Sequence, residues 1–261
     1  MSQRSCHDPE GQELNVESMR RGSLRARVAG VVVLATVMAA PLAVAAAPAA
    51  PKPTATVTVL HAIPEGLGAD VVDVYAGRTL LIDNLSSGQA QSTTMPGGTY
   101  DIQIFGNGRK PGSSAPLLRA PRARIPAGGN VTLTANLTAS GKPALTQFTN
   151  NTRTVGMDMG RLTIRHIAAA PPVDIRLNGQ AVIDDLRNGR QGDVGLRSGT
   201  YSVSIVKAGT KVRIAKPLPV TIVNKPGRSH MGNNTIVYVW GSAADGTVQQ
   251  AVQNVRLEAV S

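Results

Sequence analysis

Hydrophobic and polar residues alternate with a period of two through most of the chain beyond residue 55. Val57 and Val59 begin the first such run, and Tyr100, Ile102 and Ile104 form another, with glycine-rich turn sequences between runs. This alternation is typical of β-strands with one buried face. Outside the amino-terminal segment no run has helical periodicity. The pattern predicts an all-β protein with roughly six or seven short strands per hundred residues.

The pattern of strands and turns occurs twice in the sequence. Val72-Asp73-Val74 recurs as Val173-Asp174-Ile175, and Gly98-Thr99-Tyr100 recurs as Gly199-Thr200-Tyr201, both at an offset of 101 residues. A repeat of about 100 residues is longer than a solenoid or propeller unit, so each copy should bury its own core.

The first strand of each copy follows a different offset. Its last residue is His61 in the first copy and His166 in the second, an offset of 105 residues. The loop after His61 is therefore about four residues longer than the loop after His166.

The predicted organisation is two tandem antiparallel β-sandwiches of Greek-key type. We place the first sandwich at residues 55–151 and the second at 160–256, joined by a linker at 152–159. Residues 48–54 form an Ala/Pro linker before the first sandwich.

Residues 1–47 resemble a helical export signal with an upstream extension. An apolar run at 28–40 is preceded by four basic residues, Arg20, Arg21, Arg25 and Arg27. It is followed by a small-residue cleavage site, either Ala43-Val44-Ala45 or Ala45-Ala46-Ala47. An uncleaved membrane anchor is the alternative, although prolines interrupt the apolar run before it reaches the usual length of a span. Either alternative predicts a secreted or cell-envelope location for the rest of the chain.

Four motifs of the first copy resemble domain of unknown function 4397, a family of secreted bacterial proteins that often occurs in tandem. The motifs are Thr58-Val59-Leu60-His61-Ala62, Val72-Asp73-Val74-Tyr75, Ile82-Asp83-Asn84-Leu85 and Pro96-Gly97-Gly98-Thr99-Tyr100-Asp101-Ile102. The second copy departs from the family pattern at Arg165, Arg176 and Arg197. The resemblance implies extracellular immunoglobulin- or transthyretin-like domains and supplies no catalytic residues.

Composition argues against several kinds of catalysis. The single cysteine, Cys6, lies upstream of the signal, so a mature chain would have neither a disulfide nor a thiol nucleophile. No serine-hydrolase elbow, zinc-protease motif, phosphate loop or calcium loop is present. We expect a non-enzymatic protein without a cofactor. The alternative is a secreted hydrolase or metal-dependent enzyme, for which His61, Asp73 and Asp83 would have to meet in an open cleft.

Two pairs of equivalent residues are predicted to be structural. Tyr100 and Tyr201 follow tight glycine turns, where a tyrosine hydroxyl can bond back to the backbone. His61 and His166 point inward at strand ends, which favours buried imidazoles bonded to loop carbonyls. A metal site would need further ligands, and His230 is the one additional histidine downstream of the signal segment.

The chain has a net charge of +11, and most of the excess lies in the second copy. Two interpretations of this charge are open. It either keeps a solvated exterior soluble or attracts an anionic envelope polymer or lipid surface. The predicted contact residues are Arg161, Arg165, Arg176, Arg187, Arg190, Arg197 and Lys207. Scarce aromatics argue against nucleic acid. A plain spacer is a third possibility, and the oligomeric state stays open.

Overall fold

Two β-sandwiches with the same strand order make up the computed structural model, which describes residues 53–156, 158–225 and 231–258. The predicted signal segment and His230 lie outside the described residues. Within them the chain is all-β, so the predicted fold class is confirmed. The described part contains no helix long and apolar enough to cross a bilayer.

The first sandwich consists of eight strands in two sheets. Their order is β4-β1-β7-β8 in one sheet and β3-β2-β5-β6 in the other. The strands are β1 (Thr54–Ala62), β2 (Val71–Ala76), β3 (Thr79–Ser86), β4 (Ala90–Pro96), β5 (Gly98–Gly106), β6 (Leu118–Ile125), β7 (Asn130–Leu137) and β8 (Pro143–Thr149).

The second sandwich repeats this order as β12-β9-β16-β17 and β11-β10-β13-β14, with a short strand β15 added beside β16. Its strands are β9 (Met159–His166), β10 (Val173–Leu177), β11 (Gln180–Leu186), β12 (Arg190–Arg197), β13 (Gly199–Lys207), β14 (Leu218–Ile222), β15 (Asn224–Lys225), β16 (Met231–Trp240) and β17 (Gln249–Arg256).

One pair of neighbouring strands in each sandwich is parallel, unlike the antiparallel arrangement predicted from the sequence. These pairs are β1 with β7 and β9 with β16. Side-chain alternation is the same in parallel and antiparallel strands, so the sequence pattern could not distinguish the two directions.

Alternation along β1 assigns its two faces to two different cores. Val57 and Val59 pack inside the first sandwich, whereas Leu60 and Ala62 on the opposite face pack against the second sandwich. The equivalent strand β9 has the same division, with Leu162 and Ile164 inside its own sandwich. Sheets β4-β1-β7-β8 and β12-β9-β16-β17 therefore pack face to face, giving four layers of sheet. Both sandwiches belong to one compact unit, Ala49–Ser261.

Candidate functional site

The surface buried between the two sandwiches combines apolar and polar side chains. Its apolar part includes Leu60 and Phe148 from the first sandwich and Ile236, Tyr238 and Trp240 from the second, all with less than a tenth of their surface exposed. Burial of this area stabilises the docked arrangement at about 25 cal/mol per Å² of apolar surface.

Arg165 lies at the centre of this interface, on the face of β9 that points away from its own core. Its side chain is 1% exposed. The guanidinium carbon lies 4.4 Å from the centre of the Phe148 ring and 5.4 Å from that of Tyr238. Nη1 donates to the Tyr238 hydroxyl at 2.7 Å, and Nε donates to Gln191 Oε1 at 2.9 Å. Burial lowers the pKa of Arg165, but a guanidinium keeps its charge in proteins.

A chain of hydrogen bonds continues from Arg165 into the first sandwich. The Tyr238 hydroxyl donates to Gln253 Oε1 at 2.5 Å, and Gln253 Nε2 donates to Thr58 Oγ1 at 2.9 Å. Thr132 Oγ1 also donates to Gln253 Oε1, at 3.0 Å. Because Arg165, Tyr238, Gln253 and Thr58 are linked by hydrogen bonds across the interface, these polar residues fix the relative position of the sheets as well as fill the space between them.

The burial of Arg165 corrects its assignment to a contact surface, since a side chain enclosed between two sheets cannot reach a polymer. Arg161 needs the same correction, being 8% exposed. It donates to Asp193 Oδ2 at 3.0 Å and to the carbonyl of Arg153 at 3.3 Å. The side chains of both arginines are therefore bonded to other groups of the protein.

The remaining predicted contact residues do not form one patch. Arg190 and Arg197 are exposed at opposite ends of β12, roughly 23 Å apart at about 3.3 Å per residue. Arg187 is exposed but pairs with Asp185 at 2.8 Å. Arg176 is half-buried on β10, and Lys207 is exposed at the last position of β13.

A basic cluster does form at one end of the second sandwich, which we call the basic end. Its exposed members are Arg190, Lys207, Lys211, Arg213 and Lys216. Lys207 ends β13, and the last three residues lie in the loop at 208–217 that leads to β14. The sequence prediction missed Lys211, Arg213 and Lys216. The feature of the sequence that could have indicated these three residues is the absence of Asp and Glu between Asp193 and Asp245.

Corresponding ends of the two sandwiches lie side by side. Asn188, in the loop between β11 and β12, donates from Nδ2 to the carbonyl of Leu137 at the end of β7, at 2.9 Å. Gly88, in the equivalent loop of the first sandwich, lies against the Trp240 ring at the end of β16. The two reciprocal contacts place the loop that follows His61 and the basic end on the same side of the molecule.

The two histidines are completely buried, each beside a loop carbonyl. Nε2 of His61 lies 2.5 Å from the carbonyl oxygen of Ala69, and Nε2 of His166 lies 3.0 Å from that of Pro171. Burial lowers the pKa of both imidazoles. A carbonyl only accepts, so Nε2 carries the proton in each ring.

The duplicated aspartates Asp73 and Asp174 bind the backbone. Asp73 accepts from the amides of Asn84 and Gly108, and Asp174 accepts from those of Asp185 and Gly209, all at 2.9 Å. Asn84 and Asp185 have positive φ, and each lies in an irregular stretch of the strand pairing. The carboxylates therefore stabilise backbone turns.

No shared cleft brings His61, Asp73 and Asp83 together, because the first two are buried on separate backbone partners and Asp83 is exposed. Among the described residues, no three His, Cys, Asp or Glu side chains are grouped as metal ligands. His61, Asp73 and Asp83 therefore do not form the open cleft that the alternative of a hydrolase or metal enzyme would require of them.

Replacing Asp174 with alanine should destabilise the second sandwich by about 2 kcal/mol at neutral pH, because two amides lose a charged acceptor. These amides lower the pKa of Asp174. Its stabilising effect is therefore present above the ordinary aspartate pKa of about 4 and is lost as the pH falls through the lowered value. Urea unfolding at several pH values measures this. The exposed neighbour Asp184, replaced in the same way, should cost less than about 0.5 kcal/mol; equal losses for the two variants would contradict the assignment.

Tyr100 and Tyr201 make the same local bond in the two sandwiches. The hydroxyl of Tyr100 donates to the carbonyl of Pro96 at 2.6 Å, and that of Tyr201 donates to the carbonyl of Arg197 at 3.0 Å. In each case the acceptor lies four residues earlier, before the glycine turn. Both tyrosines tie a strand to its preceding turn.

The fold and its buried histidines and aspartates define a duplicated β-sandwich protein whose repeated polar residues stabilise the scaffold. Residues 55–176 match the model of a domain of unknown function, DUF4397, which confirms the family resemblance predicted from the sequence over this part of the chain. The match covers the first sandwich, β9 and most of β10.

Comparison with other proteins adds little about function. No curated protein matches the chain. Among solved structures, the Bacillus anthracis TIE protein is similar with 11% sequence identity and a TM-score of 0.24, over 78% of this chain and 44% of that protein.

Proposed function

We propose that the chain is an exported, non-enzymatic cell-envelope protein that binds an anionic envelope polymer through the basic end of its second sandwich. The observation that carries the proposal is the group of exposed lysines and arginines at that end. Export is supported by the basic and apolar segments around residues 20–40. The absence of a cofactor is part of the proposal, as is the absence of catalysis.

The local charge balance favours an anionic partner. Lys207, Lys211, Arg213 and Lys216 lie within ten residues that contain no acidic side chain. Asp174, which approaches the loop through the Gly209 amide, has both oxygens occupied by backbone amides. Several like charges at one end of a domain attract a polyanion over about a Debye length, 10 Å at 0.1 M salt.

The partner that fits these charges is a flexible polymer of phosphate or carboxylate groups. Stacking platforms for single-stranded nucleic acid require exposed aromatic rings. In the described part of the chain, Phe105, Phe148, Tyr238 and Trp240 are all buried. No described aromatic side chain is exposed at the basic end, which therefore offers charge without rings for stacking.

Binding to long-chain polyphosphate should test the proposal. We expect the full-length protein to bind at 50 mM salt and to lose most of its affinity by 500 mM, since each neutralised phosphate releases a counterion. Replacing Lys211, Arg213 and Lys216 with serine should weaken binding at least tenfold, roughly as expected from three lost ionic contacts. Co-sedimentation or calorimetry measures both effects.

A matched control removes the same charge from the other sandwich. Serine at Arg78, Arg122 and Arg124, all exposed, should change the affinity less than twofold. Equal effects of the two triple variants would show that only net charge matters. Failure to bind polyphosphate or polyglutamate at low salt would overturn the proposal and favour a spacer. Binding to phosphatidylglycerol vesicles but to neither polymer would instead identify a lipid surface as the partner.

A further inference from the structure

A cavity of about 120 Å³ opens at the end of the first sandwich, beside the loop that follows His61. Its floor is formed by core residues such as Ile63, Val72 and Ile104, and its rim includes Leu67 and Leu117. These two rim leucines are 56% and 49% exposed, unlike the leucines of the core. Of the described residues that line the cavity, His61 alone has a side chain with polar atoms.

The rim is built by the loop insertion that distinguishes the first copy from the second. The loop between His61 and Val72 is four residues longer than the loop between His166 and Val173, and its exposed part, Glu65-Gly66-Leu67-Gly68, contributes Leu67. Gly66 and Gly68 have φ values of +82° and +81°, which favour glycine. The amide of Gly66 donates to Asp70 Oδ1 at 2.7 Å, so the loop has a defined turn. Leu67 is thus placed at the cavity by a feature that the second sandwich lacks.

His61 differs from His166 in one hydrogen bond. Nδ1 of His166 accepts from the amide of Ala168 at 3.4 Å. Nδ1 of His61 is buried and has no hydrogen-bond partner among the described residues. Since Nε2 of His61 carries the proton that faces Ala69, Nδ1 is left as a buried acceptor. Buried acceptors are nearly always satisfied by protein, water or a ligand.

We propose that this cavity binds a small uncharged molecule, or an uncharged group of a larger one, that has an apolar body and one O–H or N–H donor for His61. The volume suits a body of about the size of benzene, which occupies an apolar cavity of about 150 Å³ in another protein. A charged ligand is disfavoured, because the described lining residues offer no counter-charge and burial of an unpaired charge is costly. The site is independent of the basic end and of polymer binding.

Phenol, toluene and benzoate are suitable probes because they share a ring and differ in the group attached to it. The measurement is NMR of the full-length protein labelled at its leucine methyl groups. Millimolar phenol should shift the methyl signals of Leu67 and Leu117, and the shifts should reach saturation. Toluene should bind about fivefold to tenfold more weakly, since it lacks the donor. Benzoate should produce no saturable shift at these methyls. Raising the salt from 50 to 500 mM should leave phenol affinity unchanged, unlike polymer binding.

Three variants locate the binding. Deletion of Glu65–Gly68 shortens the loop to the length in the second sandwich and should abolish the shift of the Leu117 methyl signals. Leu67→Ser should weaken the binding of phenol at least threefold. His61→Phe should remove the preference of phenol over toluene. The first two changes are at exposed positions and test the site even if His61→Phe fails to fold. No saturable shift at the rim leucines, or phenol affinity unchanged by the loop deletion, would overturn the proposal.

Discussion

Arg165→Ala should destabilise the docked pair of sandwiches by about 3 kcal/mol and lower the Tm by about 6–12 °C. The substitution empties the space between the Phe148 and Tyr238 rings and removes the donor that faces the Tyr238 hydroxyl. Differential scanning calorimetry of the full-length protein measures both the Tm and the number of transitions. We expect the variant to unfold in two steps, because the contacts that couple the sandwiches are weakened while each core is retained.

Two further substitutions separate the contributions of Arg165. Arg165→Met keeps most of the volume and removes the buried charge, so it should cost less than half as much as alanine. Arg197→Ala, at an exposed position on β12, should cost less than about 0.5 kcal/mol. If Arg165→Ala lowered the free energy of unfolding no more than Arg197→Ala, the stability of the interface would not depend on the Arg165 side chain.

Trp240→Ala should cost about 3–5 kcal/mol, in the range for a large aromatic side chain removed from a packed site. Trp240 is 3% exposed at the end of β16, and its ring fills the space beside Gly88 of the first sandwich. Alanine leaves a cavity between that loop and the strand. The substitution therefore weakens the packing of the interface as well as that of the second sandwich. Guanidinium unfolding followed by circular dichroism measures the change in unfolding free energy.

Val252→Ala is a suitable control for the Trp240 variant. Val252 lies on β17 in the same sheet but is 48% exposed. Its truncation should cost less than about 0.5 kcal/mol. A loss at Trp240 no greater than that at Val252 would contradict the close packing of the two sandwiches.

Sequence alternation was enough to predict the strands and their inward faces, but not the use of the outward faces. Val57 and Val59 are inward residues of β1 by both sequence and structure. The other face of the same strand carries Thr58 and Leu60, a mixture that is common on a solvated sheet surface. That this face is buried depends on the second sandwich, whose position is a long-range property that no local pattern encodes.

Arg165 shows why a basic residue could be misassigned from the sequence. An arginine on the outward face of an amphipathic strand is normally solvated. Here its flat guanidinium lies between two aromatic rings, Phe148 from the first sandwich and Tyr238 from the second. Phe148 precedes Arg165 by seventeen positions and belongs to another sheet. The contact could be recognised only after the sheets were placed together.

The two candidate binding regions were only partly visible in the sequence. The longer loop after His61 was detectable from the change in offset between copies, but its role at a cavity required the positions of Leu67 and Leu117. The predicted basic face combined Arg190 and Lys207, which belong to the basic end, with residues that are buried or lie elsewhere. Strand order determines which residues share an end, and it follows from pairing between distant segments.

Fluorescence of Trp240 tests the docking of the two sandwiches most directly, because it is the only tryptophan of the chain and lies in the interface. The full-length wild-type protein is titrated with guanidinium while Trp emission and far-ultraviolet circular dichroism are recorded together. Docked sandwiches predict a blue-shifted native emission and a red shift that coincides with the loss of strand signal. A red-shifted emission in native buffer, or a red shift completed while the strand signal is intact, would contradict the docked arrangement.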